Sequence, residues 1–222
     1  MPSTEEPQRP DTRDTRTESI TEWLHFNSRF VGIAVGVVVA VALGGWLYTR
    51  AQAGKEVRAE QTLRRAEQSV AAGNAPLAQT DLEKLATGYR GTAGASQGAM
   101  LLAQLHMDKG EYQKAIDVLQ NSEAGRKDFA APVESMIGNA YSQLNKPAEA
   151  AEHYGKAADL TRFSADRDSY LADAARHLIA ANDSAGARQL WQTIANNPKS
   201  EFAPEAHLRL GELIAVKAKS GT

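Results

Sequence analysis

Phe30 to Tyr48 is a run of nineteen residues without a charged side chain, set near the start of an otherwise polar chain. At about 1.5 Å per residue it makes a helix of roughly 28 Å, close to the hydrocarbon thickness of a bilayer. In lipid the backbone must satisfy its own hydrogen bonds, so the run is helical if it inserts. Trp23 and Phe26 before it, and Trp46 and Tyr48 at its far end, are the amphipathic rings that favour the headgroup level; Arg29 and Arg50 bracket the span as charged stops. This predicts a transmembrane helix over residues 30–49. A cleaved secretory signal is the alternative, because Ala51-Gln52-Ala53 has the small-residue cleavage pattern. The polar leader and the length of the apolar run favour an uncleaved anchor.

Residues 1–18 hold almost no apolar side chain and repeat Asp-Thr-Arg at 11–16, which predicts a disordered tail. Residues 19–29 form a juxtamembrane segment. There Ser19-Ile20-Thr21-Glu22 has capping-box spacing, compatible with a short interfacial helix or with a loop. Positive charge is slightly heavier after the span (Arg50, Lys55, Arg58, Arg64) than before it (Arg16, Arg29), a bias toward a cytoplasmic C-terminal part. With 25 basic and 27 acidic residues there is no field to attract nucleic acid, and the absence of cysteine removes disulfides and thiol chemistry.

After Arg50 the chain is rich in Ala, Leu, Gln, Glu and Lys at helical spacing, with no alternating strand pattern. Small or turn-forming residues interrupt it at regular intervals. An alanine stands five residues beyond each break: Ala78 after Gly73, Ala115 after Gly110, Ala150 after Asn145 and Ala187 after Asn182, at spacings of 37, 35 and 37. Leu102-Ala103 and Ile137-Gly138 form large-small pairs, with Tyr141 three residues beyond Gly138. Leu119, Tyr154 and Trp191 are the bulky residues of the following helices, and Ala157 a later small one.

This pattern resembles the tetratricopeptide repeat, a helix, a turn and an antiparallel helix in about 34 residues. The fold expected is all-α: one N-terminal transmembrane helix, then a tetratricopeptide-like solenoid over residues 50–217, with a tail at 218–222. Four and a half units fit residues 56–217, and Leu210-Gly211, with Pro204 at a helix start, suggests a last unpaired first helix. Arg65-Ala66 is a poor large-small pair, and His106 stands where an aromatic is usual.

Catalytic motifs are not found. His106, His153, His177 and His207 lack metal-ligand spacing, no Gly-x-Ser-x-Gly occurs, and Gly91, Gly94 and Gly98 read as an inter-repeat turn rather than a phosphate loop. No metal and no cofactor is expected. Two surfaces suggest binding. Gly32, Gly36, Ala40 and Gly44 make a small-residue stripe on which a second helix could pack, including a second copy, although Gly and Ala are common in spans. On the repeats, Met100, Gln104 and Met107, then Ser135, Asn139 and Gln143, then Arg176 are expected to face a groove. Methionines adapt to apolar partners and amides can bond an extended backbone.

Tail, anchor and small repeat stack together resemble the YfgM-like family, ancillary subunits of the SecYEG translocon. The residues carrying this are Gly36 to Tyr48, ending Gly44-Gly45-Trp46-Leu47-Tyr48, the polar helix Lys55 to Asn74, and the repeats. The resemblance implies a single-pass protein of the bacterial inner membrane, N-terminus cytoplasmic and repeats periplasmic. It also implies a non-enzymatic adaptor whose partners are translocon subunits, periplasmic chaperones or exported chains. Its orientation opposes the charge count, which differs by only two residues, and is preferred here. A repeat scaffold for envelope assembly or cell division is the alternative function.

Overall fold

The structure is a computed structural model that describes residues 28–122 and 127–220. The expectations for the 1–18 tail, for most of the 19–29 segment with Trp23 and Phe26, and for residues 221–222 lie outside the described residues. Among those described there are nine helices and no strand: α1 Ser28–Ala71, α2 Ala75–Gly88, α3 Ala93–Asp108, α4 Tyr112–Asn121, α5 Lys127–Gln143, α6 Pro147–Leu160, α7 Ser164–Ala180, α8 Ser184–Ala195 and α9 Ala203–Ser220. The last helix therefore runs past the boundary set at residue 217.

Two compact units divide the chain after Ala53. The first is the apolar part of α1. Its large side chains, among them Phe30, Val41 and Trp46, are exposed, and none of the apolar window is buried within the protein. Length and composition make it the one helix among the described residues that could cross a membrane. At its polar end the Arg50 guanidinium lies 5.4 Å from the Trp46 ring centre, a cation over an aromatic face.

The second unit is the repeat stack. It pairs the end of α1 with α2, then α3 with α4, α5 with α6 and α7 with α8, and α9 packs on α8. The breaks seen in the sequence are one backbone device used four times. Gly73, Gly110, Asn145 and Asn182 all have positive φ, between 57° and 75°. Glycine has no Cβ to clash there, and asparagine is among the few other residues that tolerate the region. At each break the next N–H bonds back to the helix just ended: Asn74 to Ser69, Glu111 to His106, Lys146 to Tyr141 and Asp183 to Leu178, at 2.8–3.0 Å. This is the Schellman closure, which satisfies carbonyls that a helix end would leave open.

Five residues beyond each break Ala78, Ala115, Ala150 and Ala187 are fully buried. Leu82, Leu119, Tyr154 and Trp191, four residues further on, fill the core beside them. The expected departures are also explained. Ala66 is fully buried while Arg65 is exposed, so the first unit keeps the small member of its pair. Gly91 lies in the turn, at φ 79°, but Gly94 and Gly98 are buried inside α3, which corrects their reading as turn residues. A Cβ at Gly94 would come within 3.0 Å of the Ala59 backbone, so glycine there lets α1 and α3 approach closely. Lys55 donates to the Arg90 carbonyl at 2.6 Å, and Glu56 accepts from the Ala93 N–H at 2.7 Å, fastening α1 to the start of α3.

Candidate partner-binding face

The side chains expected to form a groove lie on the first helices of successive units, α3, α5 and α7, and differ in availability. Gln104 is exposed, its amide donating to Asp108 at 2.7 Å one turn along. Asn139 and Gln143 are exposed and Ser135 is half-buried, so α5 presents a polar strip. Met100 and Met107 are half-buried and pack on the cluster of Ala103, Ile116, Leu119, Val133 and Ile137. Their first role is therefore to join the second unit to the third.

Arg176 is more committed still. Its Nε and Nη2 donate to the two carboxylate oxygens of Glu205 on α9, and its Nη1 donates to Asp173 at 2.7 Å. Its guanidinium also lies 5.8 Å from the Trp191 ring centre and 6.0 Å from that of Phe202. The Glu205 contact, first among its causes, pushes the Arg176 pKa up and holds Glu205 below the usual carboxylate range. This fork-on-carboxylate contact ties α7 to α9.

Three of the histidines do structural work. His106, buried, hydrogen-bonds Glu111 at 2.7 Å, which accounts for an imidazole at a usually aromatic position. Glu111 also accepts from Lys114, and these two bonds, the lysine's larger, hold it down at about 2. His153 pairs with Glu134 at 2.6 Å and stacks on Tyr141. His177 stacks on Tyr154, 5.4 Å between ring centres, and burial pushes its pKa down. Burial, followed by the charge of Asp173, pushes the Tyr154 hydroxyl up to about 12. His207 is exposed on α9. Among the described residues no three His, Asp or Glu side chains converge as a metal site.

Further hollows lie where consecutive units meet. One of about 260 Å³ between α2 and α4 is lined by Leu102 and Val118, with Thr87, Arg90 and Asp117 around them. Another, where α5, α6 and α7 meet, has Leu160, Phe163 and Tyr170 beside Asp128, Arg162 and Asp166. Sequence reading missed both, because each draws its lining from separate units and no single periodicity marks it.

Residues 21–128 match the family model of the tetratricopeptide repeat-like domain, and residues 135–163 that of the tetratricopeptide repeat. Over 121 residues the chain is 31% identical to lipopolysaccharide assembly protein B of Escherichia coli strain K12, and equally to the same protein of strain O157:H7. The match takes in 53% of this chain and 30% of that protein, so the chain spans less than a third of the relative's length. Among solved structures, the tetratricopeptide-like repeats of a kinesin light chain protein of Podosopora anserina superpose with a TM-score of 0.55 at 14% identity, covering 73% of this chain and 88% of that one. A tetratricopeptide repeat protein from Parabacteroides merdae gives 0.57 at 16% identity, covering 73% and 62%. At such identities the likeness shows the fold alone, and the fold is a tetratricopeptide-like stack.

Proposed function

We propose that this chain is a non-enzymatic adaptor of the bacterial inner membrane, with the N-terminus cytoplasmic and the repeats periplasmic, that associates with the Sec translocon and periplasmic chaperones to assist exported proteins. One juxtaposition carries the reading: a repeat stack of the protein-interaction type follows directly on an apolar helix that the protein leaves uncovered. The exposed amides of Gln104, Asn139 and Gln143 suit an extended backbone, as a newly exported chain offers. Anchoring would raise the local concentration of the stack near exit sites, so weak contacts suffice. The translocon and chaperone partners come from the resemblance to the YfgM-like family.

A second reading, a scaffold for envelope assembly, is favoured by the similarity to lipopolysaccharide assembly protein B. One experiment separates the two. A photoreactive residue at Gln104 is activated in intact membranes, and protease is added to spheroplasts from outside. Digestion of the repeats with capture of translocon subunits or chaperones is the expected result. Protected repeats would reverse the orientation and remove the translocon role, and capture of envelope-assembly proteins would favour the second reading.

A further inference from the structure

Sulfur enters this chain as four methionines and no cysteine. Met1 lies outside the described residues. The other three, Met100 and Met107 on α3 and Met136 on α5, are all half-buried. All three pack on one cluster, that of Ile116, Leu119, Val133 and Ile137, where the second unit meets the third. The neighbouring joints are built differently: α1 meets α3 through Ala59 and Gly94, and Tyr141, Tyr154 and Tyr170 gather where the third unit meets the fourth. Among the described residues, the middle joint is therefore the one that thioethers line. Across it α3 touches α5 directly, and these are the helices that present Gln104 and Asn139.

We propose that this joint is a site of reversible oxidation, at which Met100, Met107 and Met136 take oxygen from hydrogen peroxide. In each the sulfur lone pair attacks the O–O bond; one oxygen stays on sulfur, and the other leaves as water with both protons. Sulfur gives up two electrons and peroxide accepts them, so no further reactant is needed. Half-burial leaves each side chain within reach of so small a solute. The product is polar where the thioether was apolar. Its oxygen requires a hydrogen-bond donor, and the side chains of this cluster are aliphatic, so it turns to solvent and draws its side chain out of the joint. Three such departures from one cluster loosen α3 from α5 and change the spacing of Gln104 and Asn139. Leucine would fill nearly the same volume without this response; the thioether makes the packing conditional on redox state. Enzymatic reduction of the sulfoxides restores it. The chemistry of the joint is the same whichever partner the groove takes.

The test compares the full chain in its membranes with a variant carrying Met100→Leu, Met107→Leu and Met136→Leu. Met1 is present in both sequences, so any effect of its oxidation is common to them. After hydrogen peroxide treatment of the folded protein, peptide mass spectrometry should find one added oxygen on each of the three methionines. Hydrogen exchange should then quicken roughly tenfold in α3, α4 and α5 and stay unchanged in α8 and α9. Treatment with both methionine sulfoxide reductases, one for each epimer, should return exchange to its starting rate. The leucine variant should show no change with peroxide. Thioethers left intact in the folded chain, sulfoxides without faster exchange, acceleration equal in α8 and α9, or an equal response from the leucine variant each overturns the proposal.

Discussion

A methyl group added at Gly138 or at Gly155 probes one helix pair with opposite signs. At Gly138 it would meet the Tyr154 ring at 3.0 Å and the Ala150 carbonyl at 3.2 Å. Tyr154 is buried and backed by His177, so neither neighbour can give way. Gly138→Ala should cost about 1–3 kcal/mol as an overpacked contact. At Gly155 the same methyl meets nothing within 4 Å, and removing a mid-helix glycine should add about 1 kcal/mol. Thermal unfolding of the two variants checks both signs at once. Gly138 was legible beforehand as the small half of a large-small pair. His106 was legible only as a departure, because its partner Glu111 lies beyond the break and no helical spacing joins them.

Between elements, the α6–α7 contact carries a titration. His177 faces Tyr154 from α6, with Asp173 and Arg176 beside it on its own helix. Burial, the largest cause, disfavours the imidazolium, and Arg176 adds to this while Asp173 opposes it. The folded state therefore holds His177 below its ordinary value of 6.5. Its contribution to stability is intact above 6.5 and is lost as pH falls from there toward the lowered folded value. The thermal midpoint should drop from about pH 7.5 to about pH 5.5, and less steeply in His177→Phe, which keeps a ring on Tyr154 without the proton. An equal slope in the two proteins would remove His177 as the cause. The helices themselves were legible from recurring breaks, since a left-handed turn is chosen by the residue that makes it. Gly94 and Gly98 were not, because local chemistry marks glycine as a turn former whereas the constraint here is the approach of α1 and the side chain of Leu85.

For the whole molecule, a stack in which each unit touches its neighbours should answer a lesion locally. Arg176→Ala removes the fork onto Glu205 and the charge over Trp191 and Phe202, an effect of about 1–2 kcal/mol for a half-exposed group. Hydrogen exchange should quicken across α7, α8 and α9 and stay unchanged in α2 and α3; uniform acceleration would mean that the stack opens as one cooperative body. Sequence placed Arg176 on the groove, and the structure turns its donors to Glu205 on α9 and Asp173 on its own helix. That could not be read in advance, because Glu205 lies 29 residues away across an irregular connection. The four left-handed breaks reach further than turn geometry. Any stretch running from one break to the next begins and ends on the same backbone conformation and the same pair of closing hydrogen bonds, so its two cut ends match each other. Such a stretch is a cassette of about 36 residues that can be copied in or spliced out without leaving a seam, which makes the length of the binding surface something a lineage can lengthen or trim one module at a time.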